Sequence, residues 1–442
     1  MTAIDRAIVH EEPLSDERLE IIQRETFNYF WHETNPENGL IPDNTLKPGD
    51  PASIAGVGLA LSTYPVGVER GFIDRARAVE RTLATLRFLW NSPQSTDTDA
   101  TGYRGFYYHF LDINTGRRAW MCELSTIDTA ILIIGALTAA AYFNGPSPAE
   151  REVRELAEQL YLRVDWQWAQ NGGVTVAHAW MPERGFLPYR WEGYCEALVL
   201  YVLGLGSPTF PLPCESFAAW TSTYRWTKLY GHEFLYGGPL FMHQLSHVWI
   251  DFRGIQDEYM RGKSIDYFEN SRRATYVQQA YAIHNPKKFA GYGRYAWGIT
   301  ASNGPGPISQ RINGTTRKFL GYRARGVPYG PDDGTIAPWA VTASLPFAPE
   351  IVLPTLHHAL EKFPKMDNPY GLVCSVNFTF RKSPRRTAGW ISEAHFALDQ
   401  GPVVIMIENY RSGLIWRLMR GCRFLTSGLQ RAGFTGGWLS TS

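Results

Sequence analysis

The chain has 442 residues, of which 44% are hydrophobic and 19% charged, a composition typical of a globular protein with a large core. Its formal net charge of +1 argues against a global field that would attract nucleic acid or an anionic membrane. The five cysteines show no CxxC spacing, so they indicate neither a disulfide framework nor a zinc knuckle.

Residues 1–14 form a polar N-terminal tail without the apolar segment that a signal peptide carries. The longest apolar run, Ala130 to Phe143, is too short to span a membrane. These features predict a cytoplasmic protein, or a periplasmic one if the true N-terminus differs. We expect residues 1–442 to form a single catalytic domain, and the oligomeric state is not encoded in any pattern we can read.

Apolar and charged helical segments alternate along the chain. Ser15 is the expected N-cap of the first, amphipathic helix. Segments that are apolar on every face predict helices buried all round, and each follows a one-sided, charged helix. The alternation predicts an all-α (α/α)6 toroid of six inner and six outer helices, with small β-strand excursions on the cleft side. The apolar segments begin near Ser53, Ser125, Gly193, Pro239, Thr335 and Gly401, and the charged helices cover about 16–33, 72–90, 147–170, 217–230, 264–284 and 349–363.

The links that lead into the apolar helices are long and rich in Trp, Tyr, Gly and Pro, whereas most turns out of them are short. The link after Ile250 is an exception. Long links at one end of a helical domain build a cleft there, and binding residues usually lie in such clefts. This arrangement also places the N-terminus of each inner helix at the cleft. Alternation in residues 371–380 predicts short strands.

The stretch Arg190–Pro208 combines two acids with a wholly apolar run. Glu192 and Glu196 are four residues apart and would share one face of a helix. Glu196 is expected just inside a buried helix, where an unpaired charge is costly, and this favours a functional role over a structural one. Glu192 is expected to pair with Arg190 or with another arginine.

Carboxylates and aromatic side chains occupy the predicted mouth of the cleft. Cleavage of a glycosidic bond needs one protonated carboxyl and a second, ionised one, and burial near like charges separates their pKa values. Acids interleaved with aromatics therefore predict a glycosidase site. The mouth residues are Trp120, Glu123, Asp128, Trp191, Glu192, Tyr194, Glu196, His243, Gln244, Asp332, Asp333 and Asp399.

Several of these residues also have structural interpretations. Asp128 lies three residues after Ser125 and fits the last position of a capping box. Acids in a first helical turn also favour the helix dipole, which alone could account for Asp332 or Asp399. Glu123 precedes the cap and is not needed by the box.

Two further groups of polar residues lie near the fourth apolar segment. His243 and His247 have the spacing of a zincin helix without its glutamate, so we expect core or substrate-contacting histidines and no metal site. Asp251, Arg253 and Asp257 are expected to form a buried ion-pair scaffold.

Five segments together are similar to one known family. The chain resembles the glucoamylase-like family that contains the β-1,2-glucanases, and it is related to the transglycosylase domains of cyclic β-1,2-glucan synthases. The similarity extends from about Glu20 to Arg417. The segments are RRAWMCELSTIDTAIL, WEGYCEALVLYVLGLGSP, HQLSHVWIDFRGIQDEY with DYFENSRRAT, YGPDDGTIAP and LDQGPVVIMIENYRSGLIW.

The resemblance implies an (α/α)6 barrel and cleavage of β-1,2-linked glucose chains without a metal or other cofactor. By motif, Glu196 is expected to be the general acid. Two positions depart from the family pattern: Cys195 replaces an Asn or similar residue, and Asn303 stands where many relatives have an aspartate. The predicted catalytic set is Glu196, Glu123, Asp128 and Asp333, and the predicted substrate-binding set is Trp120, Trp191, Tyr194, Glu192, His243, Trp297, Asn303 and Asp399.

Three hypotheses follow from these residues. The first is a glycoside hydrolase acting on β-1,2-glucan, with Glu196 as the proton donor and its partner among Glu123, Asp128 and Asp333. The second is a transglycosylase on the same glucan. The third is a non-hydrolytic glycan-binding protein on the same scaffold, because a fold alone does not define a function.

Overall fold

The structure of the protein is a computed structural model that describes residues 13–47, 49–362, 367–382 and 389–441. The predicted N-terminal tail therefore lies, up to residue 12, outside the described residues. The described chain is rich in helix. The α-helices are α1 Asp16–His32, α2 Ile54–Glu69, α3 Arg75–Asn91, α4 Thr126–Tyr142, α5 Pro148–Arg163, α6 Leu198–Gly206, α7 Cys214–Ser222, α8 Glu258–Arg261, α9 Tyr267–His284, α10 Pro338–Ala343, α11 Pro349–Lys362, α12 Ala397–Arg411, α13 Leu414–Arg420 and α14 Arg423–Arg431.

The long helices begin where the sequence supplies a capping hydroxyl. Ser15 Oγ accepts a hydrogen bond from the amide of Arg18, and Ser125 Oγ accepts one from the amide of Asp128, both at 3.2 Å. Ser147 caps α5 in the same way, and Pro148 occupies the first helical position. Each bond satisfies an amide that would otherwise lack a partner at a helix start. The predicted starts of α1, α4 and α5 are confirmed.

The apolar helices pack against one another through backbone contact. Helix α2 lies against α4 and α12, α4 also contacts α6, and α10 contacts α12. At the crossing of α2 and α4, a Cβ added at Gly58 would lie 2.3 Å from the carbonyl oxygen of Ile131. A Cβ added at Gly135 would lie 2.0 Å from the carbonyl oxygen of Gly58. Only glycine permits these two helices to approach so closely.

Four predicted inner helices differ from the structure, and one of them, α12, begins at Ala397 rather than near Gly401. Helix α6 begins at Leu198 rather than near Gly193. The segment after Pro239 forms two 3₁₀ turns, Leu240–His243 and Leu245–Val248. Its polar groups bond to other elements, since Ser246 Oγ donates to the carbonyl of Glu196 and the carbonyl of Val248 accepts from Asn409.

The other differences arise from strand pairing. Thr335–Ile336 pairs with Val376–Asn377, so α10 starts later, at Pro338. The predicted outer helix over 217–230 is replaced by the short helix α7 and a hairpin, Trp226–Leu229 with His232–Leu235. In both places, pairing with a distant or adjacent strand outweighs the local helical pattern.

The strands are short and lie within the long links between the helices. Strands β2, β3, β5, β6 and β7 form one antiparallel five-stranded sheet, and the rest form pairs or a three-stranded sheet. The predicted strands within 371–380 are confirmed as β16 and β17. The strands are β1 Ala52–Ser53, β2 Gly102–Tyr103, β3 Phe106–Tyr108, β4 Phe110–Leu111, β5 Leu124–Ser125, β6 Ala179–Met181, β7 Gly185–Phe186, β8 Trp226–Leu229, β9 His232–Leu235, β10 Ala301–Ser302, β11 Ile308–Ile312, β12 Thr315–Phe319, β13 Arg323–Ala324, β14 Thr335–Ile336, β15 Asp367–Asn368, β16 Gly371–Leu372, β17 Val376–Asn377 and β18 Trp390–Ile391.

A buried ion pair connects the first and last of the apolar helices. Arg70, the C-cap of α2, donates from Nε and Nη2 to the two carboxylate oxygens of Glu408 in α12, at 2.7 and 2.8 Å. Gln23 of α1 and Ser412 also donate to this carboxylate. Burial alone would raise the pKa of Glu408, but these hydrogen bonds and the guanidinium charge hold it below its usual value.

No helix in the described part of the chain is both long and apolar enough to cross a membrane.

We expect Glu408→Ala to lower the free energy of unfolding by about 3 kcal/mol, because the variant leaves the Arg70 guanidinium without its buried partner. The control is Glu152→Ala, which removes the partner of Arg87 in a bidentate pair of the same chemistry that lies at the surface. An exposed pair contributes about 0–1 kcal/mol. Urea unfolding followed by circular dichroism measures both, and equal losses in the two variants would contradict the role assigned to Glu408.

Candidate active site

The five-stranded sheet aligns residues that are distant in sequence. Tyr108 of β3 pairs with Leu124 of β5, which places His109 opposite Glu123, and the amide of His109 donates to the Glu123 carbonyl at 2.9 Å. Strand β5 runs directly into α4, and Asp128 therefore lies in the first turn of that helix. Three ionisable side chains thus meet at one edge of the sheet.

His109 is the central cation of this group. Its Nδ1 lies 2.8 Å from Glu123 Oε1, its Nε2 lies 3.6 Å from Asp128 Oδ2, and the Phe110 ring stacks on the imidazole at 3.9 Å. Burial lowers the pKa of His109, but the Asp128 charge and the Glu123 hydrogen bond outweigh burial and raise it to about 9. The imidazole is therefore protonated at neutral pH. The sequence analysis missed His109, because its role depends on the strand register.

The two carboxylates beside His109 have different additional partners. Burial raises the pKa of Glu123, yet the hydrogen bond and charge of His109 bring it below its usual value. Asp128 Oδ2 accepts a hydrogen bond from Ser125 Oγ at 2.5 Å, and that hydroxyl also accepts from the Asp128 amide. Asp128 therefore takes part in capping α4, as one of the two interpretations predicted, and it also faces His109.

Glu196 lies in the turn before α6, with buried residues on both sides in the sequence. Its backbone carbonyl accepts from Ser246 Oγ at 3.1 Å, but its buried Oε2 has no hydrogen-bond partner among the residues described. Burial raises the pKa of its carboxyl to about 7, with a smaller contribution from the Asp128 charge. Glu196 is thus a carboxyl that can hold a proton near neutral pH and is electrostatically coupled to Asp128.

Asp399, in the first turn of α12, is 1% exposed. Within the described chain no N–H or O–H group hydrogen-bonds to either of its carboxylate oxygens, and the thiol of Cys374 is a donor that acts on them. Burial raises the pKa of Asp399 well above its usual value; the nearby Cys374 thiol lowers it and the Asp43 charge raises it further. The carboxyl borders a cavity of about 30 Å³ that Gln244, Tyr322 and Trp339 also line. A helix-dipole role does not require such complete burial.

Asp43 is a second residue that sequence analysis missed. It is half-buried, and its amide and carbonyl bond to Pro51 and Ala397, which fixes the loop beside α12. Burial raises the pKa of Asp43, Asn44 and His109 lower it, and Asp128 raises it. Asp43 therefore links the His109 group electrostatically with Asp399. No sequence signal distinguished it, because it lies in a Pro/Gly/Asn-rich loop.

Two predicted aromatic residues lie near these acids, one of them at the surface. Trp120 is 62% exposed and its ring packs on Phe110 at 5.1 Å, next to His109. Trp191 is half-buried, stacks with His178 at 3.9 Å and donates from Nε1 to Thr126 Oγ1 at 3.0 Å. Both flank the start of α4. Flat, accessible aromatic faces of this kind suit the apolar faces of sugar rings.

Glu192 is exposed near Trp191, but it does not form the ion pair expected with Arg190. The Thr175 hydroxyl donates to the Glu192 carboxylate at 3.2 Å, whereas Arg190 donates from Nε to the oxygen of that same hydroxyl at 2.9 Å. The threonine therefore stands between the two charges. Asn303 is half-buried, and its side-chain oxygen accepts from the amide of Gly304.

Three predicted substrate-binding or catalytic side chains lie in the core instead. Trp297 is 1% exposed and donates to Thr355 Oγ1. His243 is 2% exposed, bonds to the carbonyl of Gly237, and burial lowers its pKa to about 4. The ring of Tyr194 is buried and stacks on Tyr267. Large aromatic side chains serve cores as readily as clefts, and their sequence positions do not separate the two uses.

Asp333 is engaged by a buried arginine. Arg325 Nε and Nη2 donate to its two oxygens at 2.8 and 3.0 Å, and the amides of Leu320 and Thr335 also donate to them. Burial raises the pKa of Asp333, but these bonds bring it below its usual value. A carboxylate whose oxygens are already occupied is a structural anchor for its loop, so this geometry argues against the predicted catalytic role.

The ion-pair scaffold predicted after the fourth apolar segment is found in part. Asp251 pairs with Arg253 at 2.8 Å and with Arg420. Asp257 instead caps α8 and accepts a hydrogen bond from the Tyr267 hydroxyl at 2.6 Å. Both acids therefore stabilise the fold.

Several known proteins are similar to this chain. A "putative glucoamylase" from Bacteroides uniformis is 31% identical, with coverage of 97% of this chain and 100% of that one and a TM-score of 0.85. An endo-β-1,2-glucanase from Chitinophaga pinensis, in complex with sophorotriose and glucose, is 27% identical to this chain. The match covers 96% of this chain and 99% of that one, with a TM-score of 0.81.

A curated relative from Parabacteroides distasonis is an exo β-1,2-glucooligosaccharide sophorohydrolase (non-reducing end), 26% identical over 95% of this chain. The chain spans 58% of the length of that relative. Residues 188–423, more than half of the chain, match the family Glycoamylase, described as "Putative glucoamylase". The chain therefore belongs to the Glycoamylase family, in agreement with the resemblance that its sequence motifs show.

Proposed function

We propose that the protein is a glycoside hydrolase that cleaves β-1,2-linked glucan. The observation that carries this proposal is the group formed by His109, Glu123 and Asp128, in which the Asp128 charge also raises the pKa of the buried Glu196 carboxyl. The similarity to an endo-β-1,2-glucanase and to a sophorohydrolase supports this substrate class. The exposed Trp120 near the acids supplies a surface for sugar rings, and the half-buried Trp191 lies beside the start of α4.

Glu196 is the proton donor in this proposal. Within the described chain its Oε2 has no hydrogen-bond partner, and a pKa of about 7 keeps the carboxyl protonated at mildly acidic pH, as a general acid requires. Asp128 is the proposed ionised partner, because it is the carboxylate whose charge acts on Glu196 and the one that faces the imidazolium of His109. Glu123 balances the second side of that imidazolium and holds its orientation.

We further propose that the helices form an (α/α)6 barrel. Contacts from α6 to α4, from α4 to α2, from α2 to α12 and from α12 to α10 support this arrangement. Gln244, in the 3₁₀ segment, donates to Ala340 and Ser344 beside α10, while Ser246 accepts from the amide of Val199 in α6. These bonds support a ring in which the 3₁₀ segment takes the place of the fourth inner helix.

We expect Glu196→Gln to reduce kcat on β-1,2-glucan by about 10²–10⁴-fold, because the amide cannot donate the proton to the leaving group. Release of reducing ends measures the rate, and chromatography of the products separates hydrolysis from transfer to longer chains. Glu215→Gln, an exposed glutamate in α7, is the control and should retain wild-type activity. Full activity in Glu196→Gln would overturn the assignment, and sugar binding without any cleavage by the wild type would indicate a glycan-binding protein.

The pH dependence of kcat/KM tests the protonation state directly. Glu196 must be protonated to act, and its pKa is raised to about 7, so activity should fall as the pH rises through about 7. Removing the Asp128 charge in Asp128→Asn should lower the pKa of Glu196, which a ¹³C carboxyl titration of the variant detects without any need for activity. The proposed coupling would be contradicted if the alkaline loss of kcat/KM had a midpoint far from the measured pKa of Glu196. It would also be contradicted if Asp128→Asn left the pKa of Glu196 unchanged.

A further inference from the structure

The turn between β4 and β5 displays two large apolar side chains to solvent. Trp120 is 62% exposed and Met121, its neighbour, is 69% exposed. Both residues have positive φ angles, 53° and 49°, in the left-handed region that bulky side chains rarely occupy. Two consecutive residues in this region carry a conformational cost, and such strained segments occur most often at functional sites. The turn is therefore held in a shape that the local sequence does not favour.

A buried arginine holds the turn in place. The side chain of Arg118 is 1% exposed, its Nε donates to the carbonyl of Cys122 at 2.6 Å, and its Nη2 donates to the carbonyl of Met121 at 2.9 Å. The guanidinium also pairs with Glu183 at 2.6 Å and lies over the Tyr108 ring. An arginine with this many fixed donors makes the turn rigid, so Trp120 is presented without a large loss of side-chain and loop entropy on binding.

The exposed indole is continuous with the active site. Its ring centroid lies 5.1 Å from that of Phe110, and the Phe110 ring stacks on His109, which holds Glu123 and Asp128. The face of Trp120 thus stands two rings away from the charged group that we place in the reaction. A glucan chain that is bound at that group and extends towards Trp120 passes over this turn.

We propose that the turn Trp120–Met121 is a distal sugar-binding subsite that sets the preference of the enzyme for long glucan chains. This inference rests on the proposed function, because it takes the glucan as the ligand. The indole packs against the apolar face of a glucose ring outside the cleaved unit, and the flexible thioether of Met121 adapts to the neighbouring ring. The occupant is a polysaccharide, and a second copy of the chain is the competing occupant that the experiment must exclude.

The test compares wild-type protein with Trp120→Ala on two substrates, long β-1,2-glucan and the shortest β-1,2-linked oligosaccharide that the wild type cleaves. We expect the ratio of kcat/KM for the long over the short substrate to fall about tenfold, the size of effect typical of one good aromatic contact. Trp90→Ala is the matched control, since Trp90 is also exposed but lies on α3 against Arg163. An unchanged ratio in Trp120→Ala, or an equal fall in Trp90→Ala, would overturn the subsite.

Two further measurements distinguish aromatic stacking on the glucan from other effects of the substitution. Trp120→Phe keeps a flat aromatic face and should restore most of the ratio, whereas Trp120→Gln should not; equal behaviour of the two would count against stacking. Isothermal titration of long β-1,2-glucan into each protein, carried in the Glu196→Gln background, measures binding without turnover, so the subsite is tested even if the wild type hydrolyses nothing. Loss of self-association in Trp120→Ala, seen by analytical ultracentrifugation with unchanged glucan binding, would assign the turn to a protein interface instead.

Discussion

The contact between the His109 imidazolium and two carboxylates is the central electrostatic interaction of the site. The imidazolium contacts Glu123 on one side and Asp128 on the other, and it keeps the pKa of Glu123 low. Among the described residues no cation pairs with Glu196 or Asp399, and burial raises their pKa values. The cation therefore favours the ionised form of Glu123, whereas burial favours the protonated forms of Glu196 and Asp399.

The short strands matter because they bring that cation to its partners. His109 directly follows β3 and Glu123 directly precedes β5, so the two residue pairs that join these strands fix their contact. Asp128 follows because β5 continues into α4. The approach of α2 to α4 at Gly58 and Gly135 then holds α4 tightly in the core. A few strand hydrogen bonds thus position side chains that the helices alone would leave apart.

Local signals in the sequence predicted local structure well. Ser15, Ser125 and Ser147 marked helix starts that the structure confirms, because an N-cap depends on residues within one turn. The start of α6 and the 3₁₀ segment after Pro239 could not be predicted, since their polar groups bond to residues remote in sequence. His109 and Asp43 were missed for the same reason: their partners are set by strand register and loop position.

Residue type did not predict the role of a side chain where burial decides that role. Trp120 and Trp297 are the same side chain, but one lies on a solvent-facing turn and the other inside the core. Asp333 and Asp399 are both largely withdrawn from solvent, yet Arg325 neutralises the first and no cation reaches the second among the described residues. A neutral Asp399 can donate a hydrogen bond where an ionised carboxylate can only accept one. Since sugar hydroxyls both donate and accept, a site with acids in both states can recognise them from two sides.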